Sequence, residues 1–306
     1  MKILIALPDN NYYVWQIMVQ INNFRKMGIE NDVIYVVGKH RGCQYNSNIL
    51  KIAADRSIKC NFHFFEDQRK NLKYGVSFRH NILAQFFDKY PFLNKETFLF
   101  TDPDVIFTKK MDFTKYENDN IWYLSDTRSY INSDYIKSKG VELFKGMCNI
   151  VGVSPSVIEQ NDENAGGAQY IMKNVDATFW RKCEKDSELL YEYMVSTSNI
   201  YCPKFPIQSW TADMWAVLWN AIYFNHEVKI DKGLDFAWAT DSINRWGECQ
   251  IFHNAGVTEN NGILFMKTAH QLSPFNKSIE YSDKFCSYNY VKEIKETEIS
   301  LKNLIF

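Results

Sequence analysis

Phe98-Leu-Phe-Thr-Asp-Pro-Asp-Val-Ile-Phe107 is the stretch on which the fold turns. An apolar, β-compatible run meets two aspartates one residue apart, and a second apolar run follows. A hydrophobic strand that stops at paired carboxylates can direct both into the crevice at the carboxyl edge of a sheet, where α/β domains bind their ligands. Asp102 and Asp104 would offer hard oxygen donors, which suit Mg²⁺ or Mn²⁺. Pro103 stiffens the turn between them. Turn chemistry alone also accounts for Asp-Pro-Asp, because these residue types favour turns for their own reasons.

Working outward, Lys2-Ile-Leu-Ile-Ala-Leu-Pro8 reads as a strand, and Asp9-Asn10-Asn11 breaks it. Val14, Ile17, Met18, Ile21 and Phe24 then recur at helical spacing as far as Gly28, and Val33–Val37 is again β-compatible. Strand, helix and strand in so short a span predict a βαβ unit on a parallel sheet. Further strands are expected at 60–65, 121–124 and 149–153, with a helix from about Phe78 to Tyr90 and loop over 126–140. Asp176 caps an expected long helix, and the stretch from about Thr211 to Tyr223 is apolar nearly all round, which marks a buried helix. From Pro274 the periodicity weakens, and the tail reads as a peripheral lid or surface extension.

Composition excludes several classes. Apolar residues make up 46% of the 306, so the chain folds. A net charge of −1 offers no global attraction to a nucleic acid or an anionic membrane. Seven cysteines without CxxC spacing point to reduced thiols, and the opening apolar run is too short for a signal peptide or membrane span. A cytoplasm-like location is the expectation.

With these residues in view, the chain resembles the GT-A class of nucleotide-sugar glycosyltransferases, in which an Asp-x-Asp motif closes the nucleotide-binding half. Three further stretches are similar to that class: Arg79-His80-Asn81, Gly166-Gly-Ala-Gln169 and Phe252-His-Asn254. The Gly-Gly-Ala-Gln stretch, the Trp-rich helix and the late His are also similar to the hydroxyproline arabinosyltransferase and peptidyl-serine galactosyltransferase group. The resemblance implies a mixed α/β, GT-A-like fold with a mostly parallel central sheet flanked by helices. It implies one catalytic domain over 1–306, with a nucleotide-binding half (1–110), a donor-sugar and acceptor half (111–270) and a C-terminal extension (271–306). It further implies a metal-dependent transfer from a nucleoside diphosphate sugar, with UDP as the nucleotide, to a glycan or glycoprotein acceptor.

Each implied residue has a plainer reading beside it. His253 would join Asp102 and Asp104 on Mn²⁺ or Mg²⁺, or be an ordinary surface or hydrogen-bonded histidine. Asp9 and Asn10 would hold the base or ribose, or form a turn. Arg79 would grip the diphosphate or make a surface pair, and Asn81 belongs to the same segment. Gly166 and Gly167 would let backbone approach the donor sugar beside Gln169, or make a turn before a helix. Asp213 would hydrogen-bond the sugar or act as general base, or simply favour a helix start. Trp210, Trp238 and Trp246 would stack on sugar faces or, as is expected of Trp215 and Trp219, belong to the core. Two rival functions remain: a metal-dependent phosphatase or nucleotidyltransferase using the same carboxylates, and a non-catalytic carbohydrate-binding protein. A haloacid-dehalogenase-type phosphatase needs a downstream Asp-Asp pair, which the chain lacks.

Overall fold

The computed structural model describes residues 1–260, 262–278 and 281–305. Part of the expected 271–306 extension, residues 279–280 and 306, therefore lies outside the described residues. In chain order the first elements are β1 (Lys2–Pro8), α1 (Asn11–Met27), β2 (Val33–Lys39), α2 (Ser47–Ala54), β3 (Asn61–Glu66) and α3 (Ser77–Lys89). Then come β4 (Phe98–Phe100), β5 (Val105–Phe107), β6 (Trp122–Asp126), α4 (Arg128–Ile131), α5 (Ser133–Lys139), α6 (Val141–Val151) and α7 (Pro155–Gln160). The remainder is β7 (Gly166–Met172), α8 (Ala177–Thr197), α9 (Ala212–Tyr223), β8 (Val228–Ile230), β9 (Phe236–Trp238), α10 (Arg245–Glu248), β10 (Ile251–His253) and α11 (Cys286–Ser300).

A seven-stranded sheet has the order β3-β2-β1-β4-β7-β6-β8, and a three-stranded sheet has the order β5-β10-β9. β1 pairs with β2 and β6 with β8 in parallel, whereas β7 runs antiparallel to both β4 and β6. The larger sheet is thus mostly parallel, with β7 reversed, in a mixed α/β fold.

Two compact units divide the chain. The terminal unit is Lys2–Phe64, Thr101–Phe113 and Gly233–Phe306; the central unit is Met1, Phe65–Phe100 and Thr114–Lys232. In the terminal unit the interior of β1 is buried on both faces, as a parallel strand covered by helices must be. Its crossover helix α1 ends where Gly28 takes a left-handed φ of 75° and its N–H bonds back to the carbonyls of Arg25 and Phe24. In the central unit α3 packs on α8 and α8 on α9, and Asp176 caps α8 as the sequence indicates, accepting from Phe179 N at 2.9 Å.

Several local expectations fail for identifiable reasons. The apolar run 149–153, read as a strand, instead continues into the end of α6, because Leu143, Phe144, Met147, Cys148 and Val151 together make one buried helical stripe. The stretch 126–140 holds two short helices, the second capped by Asn132 Oδ1 on Tyr135 N. The strand that ends at the aspartates is found as β4, and Val105–Phe107 beyond the Asp-Pro-Asp turn belongs to the other sheet. The tail contains α11, which buries Tyr290, Val291 and Ile294 and packs on α1.

Candidate metal and sugar site

In the terminal unit the Asp-Pro-Asp turn is held from behind by amides of α1. Gln20 Nε2 donates to the carbonyls of Asp102 (3.0 Å) and Val105 (2.8 Å), and its Oε1 accepts from Tyr35 Oη (2.9 Å). Asn23 exchanges two bonds with the backbone of Phe107, at 3.0 and 2.9 Å. Both amides are fully buried, so an apolar replacement would strand the carbonyls they satisfy. β10 fixes the third residue by pairing with β5 in a register that sets His253 opposite Val105. Asn254 N then donates to the Asp104 carbonyl at 3.1 Å.

This scaffold brings Asp102, Asp104 and His253 together, with one potential ligand atom from each lying within 4.8 Å of the others. His253 Nε2 is 3.4 Å from Asp104 Oδ1 and 3.7 Å from Asp102 Oδ2. Adjacent donors on an octahedral ion with bonds of about 2.1 Å lie about 3 Å apart, so small side-chain shifts would close the set on a cation. Two carboxylates and an imidazole fit Mn²⁺, and Mg²⁺ with less help from the nitrogen. The His253 ring stacks on Trp238 (5.9 Å, 11°), which restrains its orientation.

Lys267 adds a charge that sequence patterning did not indicate. Its ammonium ion-pairs with Asp104 Oδ2. Burial alone would push the Asp104 carboxyl up, but Lys267 and His253 outweigh it and hold the group below the usual carboxylate range. The lysine sits on a segment tied to α1, since Trp15 Nε1 donates to His270 O at 3.0 Å and the Trp15 ring meets Phe265 edge-on. Only that tertiary tie separates Lys267 from any other loop lysine, and no sequence signal marks it. Tyr13, in the first turn of α1, has its phenol pushed up to about 12, by burial first and then by Tyr12 and the two aspartates. At the end of β1, Asp9 Oδ2 accepts from Asn46 N (2.7 Å), and burial raises its carboxyl; Asn10 is exposed.

The remaining residues lie in the central unit. Arg79 ion-pairs with Asp213 Oδ2 and lies over the Phe100 ring. The Tyr74 hydroxyl is 2.9 Å from Asp213 Oδ1 and accepts from Asp213 N at 3.1 Å. Asn81 is held internally by Gln68 N, Gln85 and Glu184. Gly166 and Gly167 begin strand β7 instead of a turn before a helix. A Cβ on Gly166 would meet Ser125 O at 2.8 Å and Leu124 Cβ at 2.5 Å, so close strand packing requires glycine there. Gln169 Oε1 accepts from Ser125 Oγ at 2.7 Å. Of the three tryptophans proposed for stacking, Trp238 and Trp246 pack on His253 and Phe252, whereas Trp210 is 60% exposed.

No protein-family model matches the chain, and no curated protein matches it by sequence. Solved structures do. A bifunctional glycosyltransferase, WbbM, superposes with a TM-score of 0.51 at 9% identity, over 99% of this chain and 50% of its own. This chain therefore spans half the length of that protein. An active-site mutant of LgtC superposes with a TM-score of 0.50 at 11% identity, over 97% of this chain and 96% of its own. The chain thus has the GT-A-like fold of glycosyltransferases, with an Asp-x-Asp and histidine cluster at the turn after β4.

Proposed function

We infer that the protein is a metal-dependent glycosyltransferase that takes a sugar from a nucleoside diphosphate donor, with UDP as the nucleotide, and passes it to a glycan or protein hydroxyl. The observation that carries this reading is the convergence of Asp102, Asp104 and His253 on one another within that fold. Held there, Mn²⁺ or Mg²⁺ would offset the charge that builds on the diphosphate as the glycosidic bond breaks.

The chain's own groups divide the remaining work. Asp102 and Asp104 supply anionic donors and His253 a neutral one. Lys267 gives the diphosphate a cationic partner once its ammonium turns from Asp104. Asp9 and Asn10, at the carboxyl end of β1, are assigned to base and ribose. In the central unit Arg79 and Gln169 are assigned to donor groups; the space beside Gly166 is taken by β6 and that beside Gly167 by Met214. Both Asp213 oxygens have partners, so we assign it to orienting Arg79, and Asn81 to supporting the same helix. The seven free thiols suit a reducing, cytoplasm-like compartment, and among the described residues no helix is long and apolar enough to cross a membrane.

Release of UDP from a panel of UDP-sugars, with Mn²⁺ present or chelated, tests the reading. Metal-dependent UDP release is expected from at least one donor. Hydrolysis of a phosphomonoester without UDP release would favour the phosphatase reading.

A further inference from the structure

Asn254 follows His253 directly and is 2% exposed, yet neither its side-chain oxygen nor its side-chain nitrogen has a hydrogen-bond partner among the described residues. A buried amide unpaired on both atoms costs stability, so its presence calls for a use. Its position supplies one. The antiparallel pairing of β10 with β5 runs Ile251 to Phe107, Phe252 to Ile106 and His253 to Val105. Asn254 N, donating to the Asp104 carbonyl at 3.1 Å, carries the ladder one step further. Asn254 therefore stands directly across from Asp104. Opposed residues of such a pair project from the same face, with Cβ atoms about 5 Å apart. Each side chain extends two bonds beyond Cβ, so rotation about those bonds brings the amide within hydrogen-bond distance of the carboxylate.

The surroundings of that amide are apolar. Phe252, two residues earlier and so on the same face of β10, stacks on Tyr290 at 5.3 Å, and Tyr290 packs in turn on Phe265. Tyr290 is fully buried, and its own hydroxyl is unpaired among the described residues. The Asp104 carboxylate, also buried, has both oxygens engaged: His253 Nε2 lies 3.4 Å from Oδ1, and the Lys267 ammonium ion-pairs with Oδ2. Once Lys267 turns to the diphosphate, Oδ2 loses that donor in a place where a bare carboxylate oxygen is costly. An amide N–H differs from an ammonium in one useful respect. Being neutral, it fixes the carboxylate without cancelling the charge that a divalent cation needs, as hydrogen-bonding partners of metal-bound carboxylates do.

We propose that Asn254 is a positioning residue for Asp104, its Nδ2 amide taking the place of the Lys267 ammonium on Oδ2 in the cation-loaded protein. This rests on the metal-dependent reading and assigns that site a residue with no role so far. The test is a titration of the full chain with Mn²⁺ alone, the bound ion read by electron paramagnetic resonance, on the parent, Asn254→Leu and Asn254→Ser. The melting temperature of each is taken in chelator. Asn254→Leu keeps a similar volume and removes both unpaired atoms. It should melt in chelator at the parent's temperature or higher, yet bind Mn²⁺ roughly tenfold or more weakly. Asn254→Ser, which retains a donor, should bind Mn²⁺ more tightly than Asn254→Leu. Equal Mn²⁺ affinity in the parent and Asn254→Leu overturns the proposal and leaves the metal reading intact. A lower melting temperature for Asn254→Leu in chelator also overturns it, because the amide would then already serve the fold without the cation. A parent that binds no Mn²⁺ removes the metal reading and this proposal together.

Discussion

The two units handle charge in opposite ways. In the terminal unit two carboxylates crowd within 4.8 Å of an imidazole, and one half-buried lysine is their nearby cation. In the central unit Arg79 and Asp213 neutralise each other one to one, and a tyrosine hydroxyl occupies the remaining carboxylate oxygen. Excess negative charge held by a stiff backbone is an arrangement that gains from a divalent cation; a matched ion pair is one that gains from staying intact. On the proposed reading the first is a ligand-binding cluster and the second a positioning one, although the sequence shows an aspartate in each.

Breaking the first arrangement should have the larger effect on binding. Asp104→Asn should weaken Mn²⁺-dependent UDP binding by roughly 100-fold or more, since loss of even an outer partner of a metal ligand costs up to about that much. Isothermal calorimetry reads this, and circular dichroism confirms that the fold is retained. Breaking the second should act on stability. Arg79→Met leaves the Asp213 carboxylate, 4% exposed, without its cation, and chemical denaturation should show a loss of about 3 kcal/mol. A smaller loss, about 1–3 kcal/mol, is expected for Gly166→Ala, whose Cβ meets the stiff Ser125 carbonyl. Gly167→Ala should cost less in the same experiment, because its nearest obstacle is the flexible end of Met214.

The smallest effect concerns pH and sharpens the picture of the central unit. His80 is fully buried, and burial, with Arg79 nearby, holds its imidazole well below the ordinary 6.5. The folded chain thus favours the neutral ring, while the unfolded chain takes up a proton first as pH falls. Stability is fully present above 6.5 and declines as pH drops below it, toward the lower folded value. The melting temperature should fall as pH drops from about 7 to about 5, and His80→Gln should flatten that slope.

How much of this was legible depended on whether the cause was local. The run from Lys2 to Pro8, the helical spacing from Val14 to Phe24 and the second run at 33–37 carry their own periodicity, and the β1-α1-β2 unit follows from it. Asp102, Asp104 and His253 were legible as chemistry, since few side chains offer donors to a hard cation. What failed was decided by contacts. The run 149–153 is apolar enough for a strand but continues a stripe already begun at Leu143. Gly166-Gly-Ala-Gln169 looks like a turn because its glycines are read as freedom, whereas Gly166 admits β6 at close range and Gly167 the end of Met214, and Ala168 takes a φ of 66°. Lys267, Tyr74 and Gln20 carry no signal in their spacing; each acquires its role from a residue at least 82 positions away.

The most direct test of the account is a calorimetric titration of UDP into the protein with Mn²⁺ and then with chelator. Saturable binding with Mn²⁺ that disappears on chelation is the predicted result. Equal binding in both, or none in either, would contradict a cation held between the carboxylates of Asp102 and Asp104.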